Sequence, residues 1–282
     1  MSILERISPE KIDVRVIWWL IFLTVAVTLL TPVGLPVVVY DRTRAVYNFI
    51  EKLPAGSIAI ISNDASSGAY PELEAGTVAV LRHLMRRNVK VIVIGFGFPE
   101  NAVLNEQLIK VGIDSGAIPP GKTYGVDYVN CGYIPGQETA VAGLATEFQK
   151  LVRADYRGTP ADQLPILKGI EGYKQISLVV NNDGSNVWQF WMRHWATAYK
   201  VPFVTIPTMA ILTTAMPYYT GGMILGVVAA LRGAAEYERM LGSLAYGTKM
   251  MDMLSGSALV ILALFALGNI LEAKKKMTGG RK

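Results

Sequence analysis

The middle of the chain alternates short β-branched runs with longer amphipathic ones, and long uncharged apolar stretches frame it at both ends. The short runs are 57–62 "SIAIIS", 89–97 "VKVIVIGFG", 125–133 "GVDYVNCGY", 175–183 "QISLVVNND" and 201–207 "VPFVTIP". Their length and β-branched content predict buried strands. The segments between them read as helices: "PELEAGTVAVLRHLMRR", "PENAVLNEQLIKVGI", "GQETAVAGLATEFQKLV" and "NVWQFWMRHWATAY". In the first, Pro71 and Glu72 mark the start and basic residues the end. Residues 110–122 and 155–165 read as loops. Alternation of this kind predicts an α/β domain whose mostly parallel, five-stranded sheet is covered on both faces, Rossmann-like or flavodoxin-like.

Residues 16–39, "VIWWLIFLTVAVTLLTPVGLPVVV", carry no charge, which is long enough for a membrane-spanning helix. Trp18 and Trp19 at one end and Tyr40 at the other suit the interfaces, while Pro32 and Pro36 kink or end the helix near 30–35. A second span is expected at 253–271, ending in "SGSALVILALFALGNIL" and followed by the basic tail "EAKKKMTGGRK". The organisation expected is therefore a tail at 1–15, a span at 16–39, the α/β domain at 41–250, a span at 253–271 and a basic tail at 272–282. The stretch 217–240, "PYYTGGMILGVVAALRGAAEYERM", is the ambiguous one. Its continuous apolar part is too short to span, and prolines and threonines interrupt the uncharged region before it. A loop and a long covering helix after the fifth strand explain it better.

Composition sharpens this picture. The chain has 282 residues, 51% hydrophobic and only 17% charged, below the usual quarter for soluble domains. Its net charge of +5 comes from the tail residues Lys274, Lys275, Lys276, Arg281 and Lys282, so nucleic-acid binding is not expected. Those lysines favour cytoplasmic termini, which places the domain outside the cytoplasm. Cys131 is the sole cysteine and excludes an intrachain disulfide.

Ligands of such sheets bind at the carboxyl ends of strands. Asn63, Asp64, Asn130, Glu138, Asn182, Asp183 and Ser185 are the candidate rim, with Gly68, Gly97 and Gly132 allowing close backbone approach. Each has a plainer reading: Asp183 and Ser185 precede a helix and are placed to cap it, as Asp64 is for the helix at Pro71. "GFGFPEN" lacks the third glycine of a dinucleotide fingerprint and no P-loop is present, so no cofactor and no metal are expected. His83 and His194 lie within helices, with His83 expected to be exposed, and no GxSxG elbow occurs. Cys131 reads as a buried thiol rather than a nucleophile beside Glu138. Asp64, Asp127 and Asp183 at strand ends are a weaker possibility for Mg²⁺. Trp188, Trp191 and Trp195 form one helical stripe, for core packing or a partner. Gly222 and Gly226 form GxxxG in the expected last helix, a helix-packing or oligomer seam.

The segments "LPAGSIAIIS", "LRHLMRRNVKVIV", "YGVDYVNCGYIPG" and "PYYTGGMILGVVAALRGAAEYE", with "LGNI" in the last apolar stretch, resemble a group of bacterial and archaeal membrane proteins to which no activity is assigned. That resemblance implies two spans around a Rossmann-like domain and carries over no catalytic residues. The expectation is a membrane-anchored binding or assembly subunit of a homo- or hetero-oligomeric membrane complex. The alternatives are a membrane-tethered hydrolase or transferase using Asp64, Asp183 or Cys131, or a small-ligand sensor.

Overall fold

The computed structural model describes residues 14–31 and 33–279. Residues 1–13 of the N-terminal tail, Pro32, and residues 280–282 with Arg281 and Lys282 lie outside the described residues, as do the side chains at 274, 275, 278 and 279. The chain divides into two compact units, Val37–Gly247 and Met1–Pro36 with Thr248–Lys282.

The first of these is the α/β unit. Its strands are β1 (Ile58–Asp64), β2 (Lys90–Gly95), β3 (Tyr128–Tyr133), β4 (Ile176–Asp183), β5 (Phe203–Pro207) and β6 (Gly226–Val227). They form one sheet in the order β3-β2-β1-β4-β5-β6, with every pair parallel. The expected Rossmann-like layering is present, with six strands rather than five. β6 was hidden because two residues inside "MILGVVAA" leave no alternation to read.

On one face lie α2 (Asp41–Glu51), α3 (Tyr70–Arg86), α4 (Asn101–Asp114) and α9 (Ala230–Met240). Ala59, Ile61, Val91, Val93, Leu178 and Val180 point into that layer. The alternate residues Ile60, Ile92, Ile94 and Val179 point to the other, under α5 (Gln137–Leu144), α6 (Phe148–Leu151), α7 (Val187–Trp191) and α8 (Met209–Thr220). The period-2 strand geometry thus fills two cores from one sheet. α7 runs on into a π-helical turn, Met192–Thr197. Trp188, Trp191 and Trp195 are all fully buried, so the stripe belongs to the protein's own core.

The stretch 217–240 is not one helix. α8 ends at Thr220, Gly222 turns with φ +74°, β6 follows, and α9 begins at Ala230. Gly222 and Gly226 therefore share no helical seam. Gly226 lies in β6, where a Cβ would come within 2.8 Å of Arg42 O in α2. α2 thereby covers that edge of the sheet. At the other edge, Asn130 N–H donates to Tyr124 Oη (3.4 Å), Asn130 O accepts from Tyr156 N–H (2.8 Å) and Tyr128 O accepts from Gly125 N–H (2.8 Å).

In the remaining unit, α1 covers Val14–Leu30 and α10 covers Tyr246–Gly279, nearly all of α10 belonging here. The stretch Tyr246–Ala273 is long and apolar enough to cross a membrane. α1 has 17 residues and is shorter than the expected span at 16–39. Gly34 takes a left-handed φ of +69°, and no helix or strand forms from Val33 to Tyr40. Thr24 and Thr28 bond back to the carbonyls of Leu20 and Thr24, both at 2.8 Å. A Cβ on Gly256 would meet Thr24 Cγ2 at 3.0 Å. Asp252, 1% exposed, accepts Gly34 N–H at 2.8 Å and Leu35 N–H at 2.9 Å. Later residues of the N-terminal segment thus meet earlier residues of α10, an antiparallel pairing.

Candidate functional site at the carboxyl edge of the sheet

Strand order reverses between β1 and β4, and the crevice outside such a reversal is where this architecture binds ligands. β1 ends in Ser62-Asn63-Asp64 and β4 in Asn181-Asn182-Asp183, in register residue by residue. Alternation divides these six side chains between the two faces. Ser62, Asp64, Asn181 and Asp183 face the tryptophan layer; Asn63 and Asn182 face α3. The expected rim is therefore not one convergent surface.

All of these side chains are fully buried. Asp64 Oδ1 accepts the N–H groups of Phe96 (2.6 Å) and Gly97 (2.9 Å), beyond β2. Its Oδ2 accepts from Asn181 Nδ2 (2.8 Å) and from the Ser62 hydroxyl. Ser62 Oγ in turn accepts from Trp191 Nε1 at 2.9 Å. Asp64 does not cap α3 as the sequence suggested; it pins the loop after β2. Asp183 does cap: Oδ2 accepts Trp188 N–H at 2.6 Å, and Oδ1 accepts from Ser185 Oγ at 2.7 Å and from Ser185 N–H. Burial, and next the neighbouring Asp183 carboxyl, push Asp64 up to about 7. Burial pushes Asp183 up to about 6, against the hydrogen bonds at the start of α7.

On the opposite face Asn182 Nδ2 donates to Thr77 Oγ1 at 2.8 Å. Neither amide atom of Asn63 has a protein partner, nor does Asn182 Oδ1. Asn130 is occupied elsewhere, donating to Glu106 Oε1 (3.0 Å) and accepting Gly132 N–H (2.8 Å). Glu138 stands at the surface with Arg193 (2.7 Å) and His194 (2.9 Å), not beside Cys131. Asp127 precedes β3 at the opposite edge and binds Lys122 and Thr123 N–H, so it cannot join Asp64 and Asp183 around an ion. Among the described residues, no group of three or more His, Cys, Asp and Glu side chains forms a metal cage.

The crevice itself is closed. A Cβ on Gly184 would stand 2.7 Å from the Ala69 Cβ, so the loops after β1 and β4 touch. A Cβ on Gly97 would stand 3.1 Å from Asp64 O, whereas Gly68 faces open space. A surface cleft of about 450 Å³ beside α6, lined by Gln149, Arg153 and Lys168 among others, includes none of the rim residues.

Three residues outside the candidate set belong to this buried layer: Ser62, Asn181 and Thr205, matched in register across β1, β4 and β5. Strand alternation counted back from Asp183 would have found Asn181. His83, expected to be exposed, is 1% exposed: Nδ1 meets Tyr237 Oη at 2.8 Å and Nε2 meets Glu51 Oε1 at 2.9 Å. Its position on α3 faces α2 and α9, which a single-helix reading could not reveal. The Cys131 thiol is buried and pushed far above its ordinary range, so it is a poor nucleophile. No protein-family model matches the chain, and no curated protein matches it in sequence.

Proposed function

We propose that this protein is a membrane-anchored α/β subunit that binds or assembles with other membrane proteins, rather than a catalyst. The observation that carries this reading is the engagement of the acid pair. Every carboxylate oxygen of Asp64 and Asp183 already accepts a hydrogen bond from the protein, and the loops above them touch. A reacting substrate would have no free base and no open crevice at the place where this architecture offers them. α8 supplies a contrasting surface. Met209, Ala210, Thr213, Thr214, Pro217 and Met223 are exposed on it or just beyond it, and no charged residue occurs between Val201 and Leu231. Uncharged exposed surface of this kind suits protein contact.

Anchoring is supported by Tyr246–Ala273, whose Leu259, Ile261, Leu262 and Phe265 are exposed. α1 is its antiparallel partner in this reading, crossing with it despite a length of about 25 Å. That pairing puts both termini on one side, which Lys276 and its neighbours favour as cytoplasmic, with the domain on the other side.

The reading is tested with Met223→Cys in membranes from expressing cells. Cys131 is buried and stays silent, so a bifunctional maleimide reports on the turn just beyond α8. A discrete cross-linked species supports assembly; a monomer under all conditions, with the domain digested by protease only after cell opening, would remove both assembly and orientation.

A further inference from the structure

We propose that Arg42, Arg232 and Arg239 bind the phosphate of an anionic phospholipid headgroup, so that the α/β unit reads lipid charge where its chain meets the membrane. The inference deepens the anchoring reading above and rests on it. The three arginines belong wholly to the α/β unit, on residues 37–42 and on α9. That segment runs antiparallel along α9: Val37 O accepts from Arg239 Nη1 at 2.7 Å, and Tyr40 N–H donates to Glu236 Oε2 at 3.2 Å. Arg232, Glu236 and Arg239 stand at i, i+4 and i+7, on one helix face. Toward the start of α9 the Tyr40 ring carries two cations, Arg42 Cζ at 4.4 Å from its centroid and Arg232 Cζ at 4.5 Å.

Two guanidiniums on one ring lie within about 9 Å of each other, roughly one Debye length, so they repel unless an anion joins them. Glu236 does not serve all three arginines. Its carboxylate is fully buried and divided among Tyr40 N–H, Thr43 Oγ1 and Arg232. Among the described residues neither Arg42 nor Arg239 makes an ion pair, and Arg42 Nε is buried without a hydrogen-bond partner. Guanidinium forks in this state match phosphate oxygens, which accept from them two at a time.

The neighbouring surface favours lipid over free phosphate. Val38 and Tyr40 are exposed on the segment itself, and Leu244 and Tyr246 are exposed on the other connection to the helical unit. Glu238, beside Arg239 on α9, accepts Ala245 N–H at 3.2 Å and Gly247 N–H at 2.8 Å. The last turn of α9 thus holds both ends of the α/β unit, Val37 and Gly247. Exposed aliphatic and tyrosine side chains among arginines suit a surface lying at a bilayer interface, where anionic headgroups attract the cations.

The test is native mass spectrometry of the full-length chain in detergent, with phosphatidylglycerol compared with phosphatidylcholine, whose choline cancels the phosphate charge. Phosphatidylglycerol should bind at least about tenfold more tightly, and Arg42→Gln should remove about fivefold of that preference, the worth of one arginine at an anionic surface. Arg42→Lys should restore only part of it, because an ammonium lacks the fork. Tyr40→Leu keeps an apolar side chain but removes the ring that gathers the two cations, and should also reduce the preference. Equal affinity of the unmodified chain for the two lipids would overturn the proposal whether or not the variants fold. So would a preference unchanged in both Arg42→Gln and Tyr40→Leu. Binding of inorganic phosphate that is lost in Arg42→Gln, without any lipid preference, would assign the arginines to a free anion and overturn the lipid source. Release of the unmodified chain from phosphatidylcholine vesicles by alkaline carbonate would overturn anchoring and this inference together. Retention there without lipid preference would overturn this inference alone.

Discussion

Thr43 Oγ1 donates to Glu236 Oε2 at 2.6 Å with both residues fully buried, tying α2 to α9. The same carboxylate accepts Tyr40 N–H at 3.2 Å and pairs with Arg232 at 3.3 Å through Oε1. Glu236→Ala would leave Tyr40 N–H without this acceptor and Thr43 with only its longer bond to Val227 O (3.4 Å). A loss of about 3 kcal/mol is expected, since it removes one partner from a buried charged network. Denaturant unfolding of the purified chain measures it, and a loss under about 1 kcal/mol would show that water replaces the carboxylate.

The tryptophan layer gives a second prediction. Trp195 is fully buried and donates from Nε1 to Val141 O at 2.9 Å. Trp195→Ala should cost about 3–5 kcal/mol through the cavity left behind. Trp191→Phe keeps most of the volume but removes the donor to Ser62 Oγ. It should cost about 1 kcal/mol in denaturant unfolding.

His83 gives stability a pH dependence of definite sign. Burial holds it below its ordinary value of 6.5, while its hydrogen bond to Glu51 opposes that shift. The unfolded chain takes the proton first as pH falls, so this residue's contribution is present above 6.5 and declines as pH drops toward the folded value. Asp64 works in the opposite sense. Its folded value is raised from 3.8 to about 7, so stability declines as pH rises through that interval. In His83→Gln the acid-side decline should shrink while the decline toward neutrality persists. The two intervals overlap, so the difference in melting temperature between His83→Gln and the unmodified chain at each pH isolates the histidine.

Gly226 is a steric prediction. Its missing side chain lets α2 lie on β6, where a Cβ would sit 2.5 Å from Val46 Cγ2. Gly226→Val should cost about 1–3 kcal/mol by overpacking and lift α2 from the sheet edge. Faster amide exchange in α2 and a rise in aggregation would report it; unchanged exchange would mean that β6 shifts instead.

Asp252 gives a prediction for the helical unit. Asp252→Ala removes the acceptor for Gly34 and Leu35 N–H. Exchange at those two amides should accelerate by tenfold or more, whereas Asp252→Asn, which retains one acceptor oxygen, should give an intermediate rate.

Long, strongly patterned elements were legible in the sequence. The β-branched runs that became β1, β2, β4 and β5 announce themselves because buried parallel strands need them on both faces. Tertiary contact hid other features. β6 exists because Gly226 fits against α2, and no local pattern encodes that fit. The polar strand ends place Asp64 and Asp183 side by side at the carboxyl edge of the sheet. Their division between two sheet faces follows from alternation, and overlooking it merged Asn63 and Asn182 with the acid pair. His83 sat between arginines and read as exposed, although Tyr237, distant in sequence, encloses it.

Because β3 satisfies its outer backbone groups with Tyr124, Tyr156 and Asn130, and α2 shields β6, the sheet offers no template to an incoming strand. Recruitment by β-augmentation is thereby closed to this domain. The association proposed above would then read side chains on helices and loops, with specificity resting on surface shape and not on backbone pairing. That also leaves the parallel sheet little means of propagating into fibrils while it stays folded.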